Sequence, residues 1–192
     1  MVSVHRFRTS GEGEMVKKTA MLTGTAVLCA LVYVFDWGLK SSGLRIPFIW
    51  MPVLRFDFTG VPIALSLFLY GLGASATTSI VALLVILTRG DLVGASMKAL
   101  AEFSTMFGFA LALRFRMPRS ISFPAGIIMR TLVMTAANMA VLPVFYKTPW
   151  EVALLSIPLI AVFNAMQGFV SLFGGFVIFE ALQRRMPSPM LK

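Results

Sequence analysis

The sequence has a single cysteine, Cys29, and a single histidine, His5. A lone cysteine excludes an internal disulfide, and these two residues cannot assemble a metal cluster. Cys29 lies within an apolar run and reads as a small buried hydrophobe. His5 sits in the polar N-terminal stretch, which leaves no material for a Ser-His-Asp site. No G-x-x-x-x-G-K-[ST] loop is present, so the chain lacks the nucleotide-binding P-loop of an ATPase. Carboxylates are scarce too, with eight Asp and Glu against 17 Lys and Arg. No close carboxylate pair offers acid–base chemistry. These absences point away from an enzyme and from any resident metal or cofactor.

What the chain has in abundance is apolar length. Of its 192 residues 58% are hydrophobic and only 13% are charged, too little polar surface to cover a soluble domain of this size. The expected class is an all-α integral membrane protein in the bilayer. The net charge of +9 does not point to nucleic acid, because the basic residues fall in the gaps between apolar runs. There they can also meet anionic lipid headgroups.

A membrane-spanning helix needs about 20 mostly apolar residues. Six apolar runs follow, at 19–35, 61–72, 73–87, 94–113, 123–145 and 152–182, of which the second and third are short. Asp36, Trp37 and Lys40 close the first, with the Trp at interface depth. Residues 1–18 are polar and basic and lack a small-residue cleavage site after the run, so they read as a retained tail. Residues 19–185 form one six-helix domain, and 186–192 a second tail. The second and third runs meet at Gly71-Leu72-Gly73, a tight turn. The stretch 41–62 holds three prolines and mixed charges, so it cannot be one regular helix. It is still rich in Ile, Phe, Trp and Met, which suits an irregular cap over residues 41–60.

Placing both termini in the cytoplasm puts ten Lys and Arg inside and six outside. That bias sets the expected orientation and makes 41–60 an extracellular loop. Arg130 falls within the fifth run. The expected location is the plasma membrane.

Uncharged amides are costly in hydrocarbon unless something bonds to them. Asn138 in the fifth run and Asn164 and Gln167 in the sixth all fall toward the outer halves of their helices. They serve either as glue between helices or as the floor of a pocket for a polar, uncharged ligand. Lys98 and Glu102, four apart, can pair on one helix face, and an ionisable residue at membrane depth is a functional candidate. Ala26 and Ala30 make a small-residue stripe against which another helix can pack closely, and Ala20 with Gly24 repeats the spacing.

These residues carry a resemblance. L-R-F-D-F-T-G-V-P (54–62) resembles the L-K-[FY]-D-x-S-D-[VI]-P stretch of the riboflavin-binding S components of energy-coupling factor (ECF) transporters. R-T-L-V-M-T-A-A-N-M-A-V-L-P-V-F-Y (130–146) resembles the fifth-helix stretch of that family. V-F-N-A-M-Q-G (162–168) resembles its F-N-x-x-K-G, and Ala26-x-x-x-Ala30 matches its first-helix alanine motif. The likeness runs from residue 20 to 182 and implies the S-component fold. It further implies capture of riboflavin beneath the first loop, then delivery through a membrane T subunit carrying two ATPase subunits. It puts Asn138, Asn164 and Gln167 in the ligand site, where amides can meet the uracil-like edge or the ribityl hydroxyls. Trp50, Leu54, Phe48, Phe103, Met134 and Thr135 are the implied apolar walls, and Ala26 and Ala30 the face toward the T subunit. Two positions depart from the family pattern, since its Lys is Gln167 here and its S-D is Thr59-Gly60. Three other readings stay open. They are an S component for another vitamin, a stand-alone secondary carrier using Glu102, and a structural membrane subunit with no ligand.

Overall fold

The computed structural model describes residues 3–43 and 45–185, with backbone alone over 3–13. Six helices and one hairpin follow in chain order. They are α1 (Ser3–Ser41), β1 (Ile46–Phe48), β2 (Met51–Phe56), α2 (Gly60–Tyr70), α3 (Leu72–Leu87), α4 (Leu92–Arg114), α5 (Arg119–Phe145) and α6 (Trp150–Arg185).

Each apolar run becomes one helix, most of them a few residues longer than the run, while α2 stops short at Tyr70. The largest extension is α1, which runs unbroken through most of the stretch read as a polar tail. A Glu14–Lys18 pair at 2.8 Å supports it one turn before the apolar part. The side chain of His5 and the tail at 186–192 lie outside the described residues. Three helical stretches are long and apolar enough to cross a bilayer: Glu14–Ser41, Arg119–Phe145 and Trp150–Arg185. The 11 residues of α2 rise only about 16 Å, roughly half a hydrocarbon core. The turn from α2 to α3 is made at Gly71, whose φ of 88° is open to glycine and costly for other residues.

The packing forms a closed ring in the order α1, α3, α4, α5, α6, α2, with α2 also touching α3. Residues 60–67 of α2 are all buried. Their apolar side chains meet Val32, Ala82, Met106, Phe109 and Leu172 in one core cluster. Hydroxyls cross between α2 and α3 without loss of hydrogen bonding. Ser75 Oγ donates to the Ile63 carbonyl at 3.2 Å, and Ser66 and Thr78 lie 3.0 Å apart. Large apolar side chains such as Leu22, Val27, Leu132 and Phe169 face outward, as a bilayer requires.

The segment read as an irregular cap is instead a short antiparallel hairpin, so the molecule is predominantly rather than wholly helical. Ile46 pairs with Phe56 and Pro47 with Arg55, with an irregularity before Phe48 pairs with Met51. Prolines forbid a helix here but tolerate a two-stranded edge, and the β-branched and aromatic residues between them favour strand. Phe48, Phe56 and Phe163 of α6 form an aromatic knot, with centroids 5.0–5.9 Å apart, that fastens the hairpin to the bundle.

Candidate binding site

Beneath the hairpin lies a cavity of about 400 Å³, within the range of small-molecule sites. It opens at the end of the bundle where α1 stops, α3 turns into α4 and α5 turns into α6. Asn138 and Met134 of α5, Asn164, Gln167 and Phe163 of α6, and Leu54 of the hairpin all border it. The structure thus brings five of the sequence-selected residues to one space.

The other four wall residues do not border it, which corrects the sequence expectation. Trp50 sits at the hairpin turn, 64% exposed, with its ring edge-on to Phe48 at 5.2 Å. Phe48 is buried in the aromatic knot. Phe103 stacks on Phe107 at 6.0 Å on the outer surface. It follows inward-facing Glu102, and each helical step turns a side chain by about 100°. Thr135 follows Met134 and is turned aside in the same way.

The amides have partners inside the protein. Gln167 Nε2 donates to the Asp57 carbonyl at 2.7 Å, and the Asp57 N–H donates to Gln167 Oε1 at 3.4 Å. The side chain therefore grips the main chain where the hairpin feeds α2. Asn164 Oδ1 accepts from Arg130 Nε at 3.2 Å, and its Nδ2 donates to the Ile160 carbonyl at 2.9 Å. Asn138 Nδ2 donates to the Met134 carbonyl of its own helix at 2.7 Å.

Four charged groups form a cluster at the cavity floor. Lys98 Nζ lies 2.6 Å from Asp57 Oδ1 and 2.8 Å from Glu102 Oε1. Arg130 Nη1 reaches the same Glu102 oxygen at 3.1 Å and donates to Thr105 Oγ1 at 3.3 Å. The sequence-expected Lys98–Glu102 pair is thus half of a larger network. Asp57 also accepts from the Thr59 N–H and hydroxyl at 3.2 and 2.6 Å. Burial alone would raise the Asp57 carboxyl, but the Lys98 ammonium, the hydrogen bonds from Lys98 and Thr59, and the Arg45 charge outweigh it. The net effect holds Asp57 below its ordinary value of 3.8.

Nearer the mouth, Asp36 of α1 is buried between two arginines. Its Oδ1 is 2.7 Å from Arg45 Nη2, and its Oδ2 meets Arg89. Residue-level reading passed over Asp57, Arg130 and this triad. A lone arginine inside an apolar run was the available signal for Arg130. Asp36 closes the first run and Asp57 lies within the 54–62 stretch, but neither position pointed to its partner. Ala26 and Ala30 are exposed on α1.

No family model matches the chain, and no curated protein matches it. Among solved structures, the S component of a bacterial ECF transporter is similar, with a TM-score of 0.72 at 23% identity. The match covers 88% of this chain and 98% of that one. The chain has the S-component fold.

Proposed function

We propose that the chain is the substrate-binding subunit of an ECF-type importer in a prokaryotic plasma membrane. It spans the membrane six times with both termini in the cytoplasm. It captures riboflavin from outside and hands it to a T subunit with two ATPase subunits. The observation that carries this reading is the lidded cavity bordered by three amides and by Leu54, Met134 and Phe163. Apolar walls suit a flat ring, and amides with both donors and acceptors suit a uracil-like edge and hydroxyls. The motif likeness supplies riboflavin, and the shared fold supports the S-component role.

Against the carrier reading, Glu102 is fully buried behind the cavity floor, with one carboxylate oxygen held by Lys98 and Arg130. A stand-alone carrier moves ligand by itself, and Glu102→Gln abolishes that movement. A binding subunit moves none without its module.

The test is titration of the detergent-purified protein with riboflavin, read by flavin fluorescence. Stoichiometric quenching is expected. Asn138→Leu should weaken it about tenfold or more, because one polar group of the ligand loses its partner. Asn138 is the cleanest position, as its side chain bonds to its own helix and, among the described residues, holds no other element. A protein that quenches neither riboflavin nor a flavin analogue overturns the riboflavin assignment.

A further inference from the structure

The charges around the cavity are unevenly placed. At the floor they balance, with Lys98 and Arg130 facing Asp57 and Glu102. At the mouth they do not. There Lys40, Arg45, Arg55 and Arg89 stand with only Asp36 and Asp91. Asp91 is committed to capping α4, where its Oδ1 accepts from the Gly94 N–H at 2.7 Å. Asp36 alone is left to Arg45 and Arg89, one oxygen to each.

Each of those arginines keeps a donor with no acceptor. Arg45 Nε and Arg89 Nη1 are shielded from solvent and unpaired among the described residues. Lys40 and Arg55 make no ion pair among the described residues. A purely structural clasp between hairpin, α1 and α3 explains the Asp36 contacts. It explains neither the orphaned donors nor the two further cations. Buried polar groups are rarely left unpaired without reason, and guanidinium forks fit oxyanions.

We infer that the cavity mouth is a subsite for an anionic oxygen group, a phosphate or carboxylate, on a ligand whose neutral part lies deeper among the amides. This rests on the reading of the cavity as a small-molecule site. The balanced floor takes the uncharged ring system, and the cationic mouth takes the charged tail. Within the flavins this selects the 5′-phosphate ester of riboflavin over riboflavin itself.

The experiment compares the two flavins by fluorescence quenching at low and high salt. The phosphate ester should bind about tenfold or more tightly at low salt, and the gap should narrow as salt screens the mouth. Arg89→Gln should close the gap while riboflavin affinity moves less than about threefold. Arg55→Gln, at an exposed and unpaired position, guards against misfolding of the first variant. It should lower the ester's affinity and leave riboflavin's alone. Equal affinities in the unmodified protein, or a preference that survives both substitutions, overturn the subsite. If neither flavin binds, the riboflavin assignment falls, and inorganic pyrophosphate reads the mouth by itself. It should then raise the melting temperature of the protein but not of the Arg45→Gln/Arg89→Gln variant, and no rise in either overturns the subsite.

Discussion

An amide at position 167 offers one acceptor and two donors, and the Asp57 main chain takes one of each. A lysine there, as in the related family pattern, has donors only. Gln167→Lys should therefore leave the Asp57 N–H without its acceptor and add a third cation to a balanced floor. The expected result is a loss of about 1–3 kcal/mol in stability, seen as a lower melting temperature in detergent. An unchanged melting temperature would show that the Gln167 grip does not matter. The second departure from the family pattern, Gly60, has a steric explanation. A Cβ at Gly60 would stand 2.0 Å from Ser171 Oγ and 2.5 Å from Glu102 Oε2. The Glu102 carboxylate and the Ser171 hydroxyl already fill the space that a side chain at 60 would need. Gly60→Ala should cost about 1–3 kcal/mol through overpacking, and Ser171→Gly in the same chain should recover part of it. A fully stable Gly60→Ala protein would show that this contact relaxes freely. The sequence flagged both positions as departures. Their meaning was hidden because each partner lies more than 40 residues away.

At the scale of elements, the six helices were legible because each apolar run exceeds what a loop tolerates. Their ends were less so, and α1 shows why. Its polar start gave no stop signal, so only composition suggested a tail. The hairpin was legible as a non-helix through Pro47 and Pro52, whereas Pro62 falls in the first turn of α2, where a proline is tolerated; its packing on Phe163, a contact across more than 100 residues, was not legible. That hairpin is held at its exit by Asp57, and this gives a pH signature. A carboxyl with a depressed folded value contributes stability above its ordinary value and loses it as pH falls through the depressed one. The hairpin should thus stay closed from pH 7 down to about 4 and loosen only below the ordinary 3.8. A nitroxide at Val53, which is 85% exposed, reads this as line-shape mobility. Asp57→Asn should be mobile at pH 7 already. A transition near neutrality would mean that another group controls the lid.

The whole molecule presents two faces to which the proposed function assigns a role. One is the cavity end. The other is proposed along α1, where Ala26 and Ala30 are exposed with small side chains. A bulky residue there prevents close helix approach. Ala26→Trp and Ala30→Trp should retain ligand binding in the isolated protein yet abolish uptake when the T subunit and ATPases are supplied. Uptake at the normal rate would move the docking face elsewhere.

The ring order bears on how the chain comes to be built. The eight residues at the start of α2 are buried on every side, and two of its neighbours, α1 and α3, emerge from the ribosome with it. The neighbour that closes the ring, α6, is synthesised last. Until then one flank of α2 has no permanent cover, and its 11 residues are too few to settle across the bilayer alone. Biogenesis is therefore completed from the C-terminal end. A nascent chain stopped before Trp150 exposes an unfinished seam to membrane quality control, although the residues that form α2 are all present.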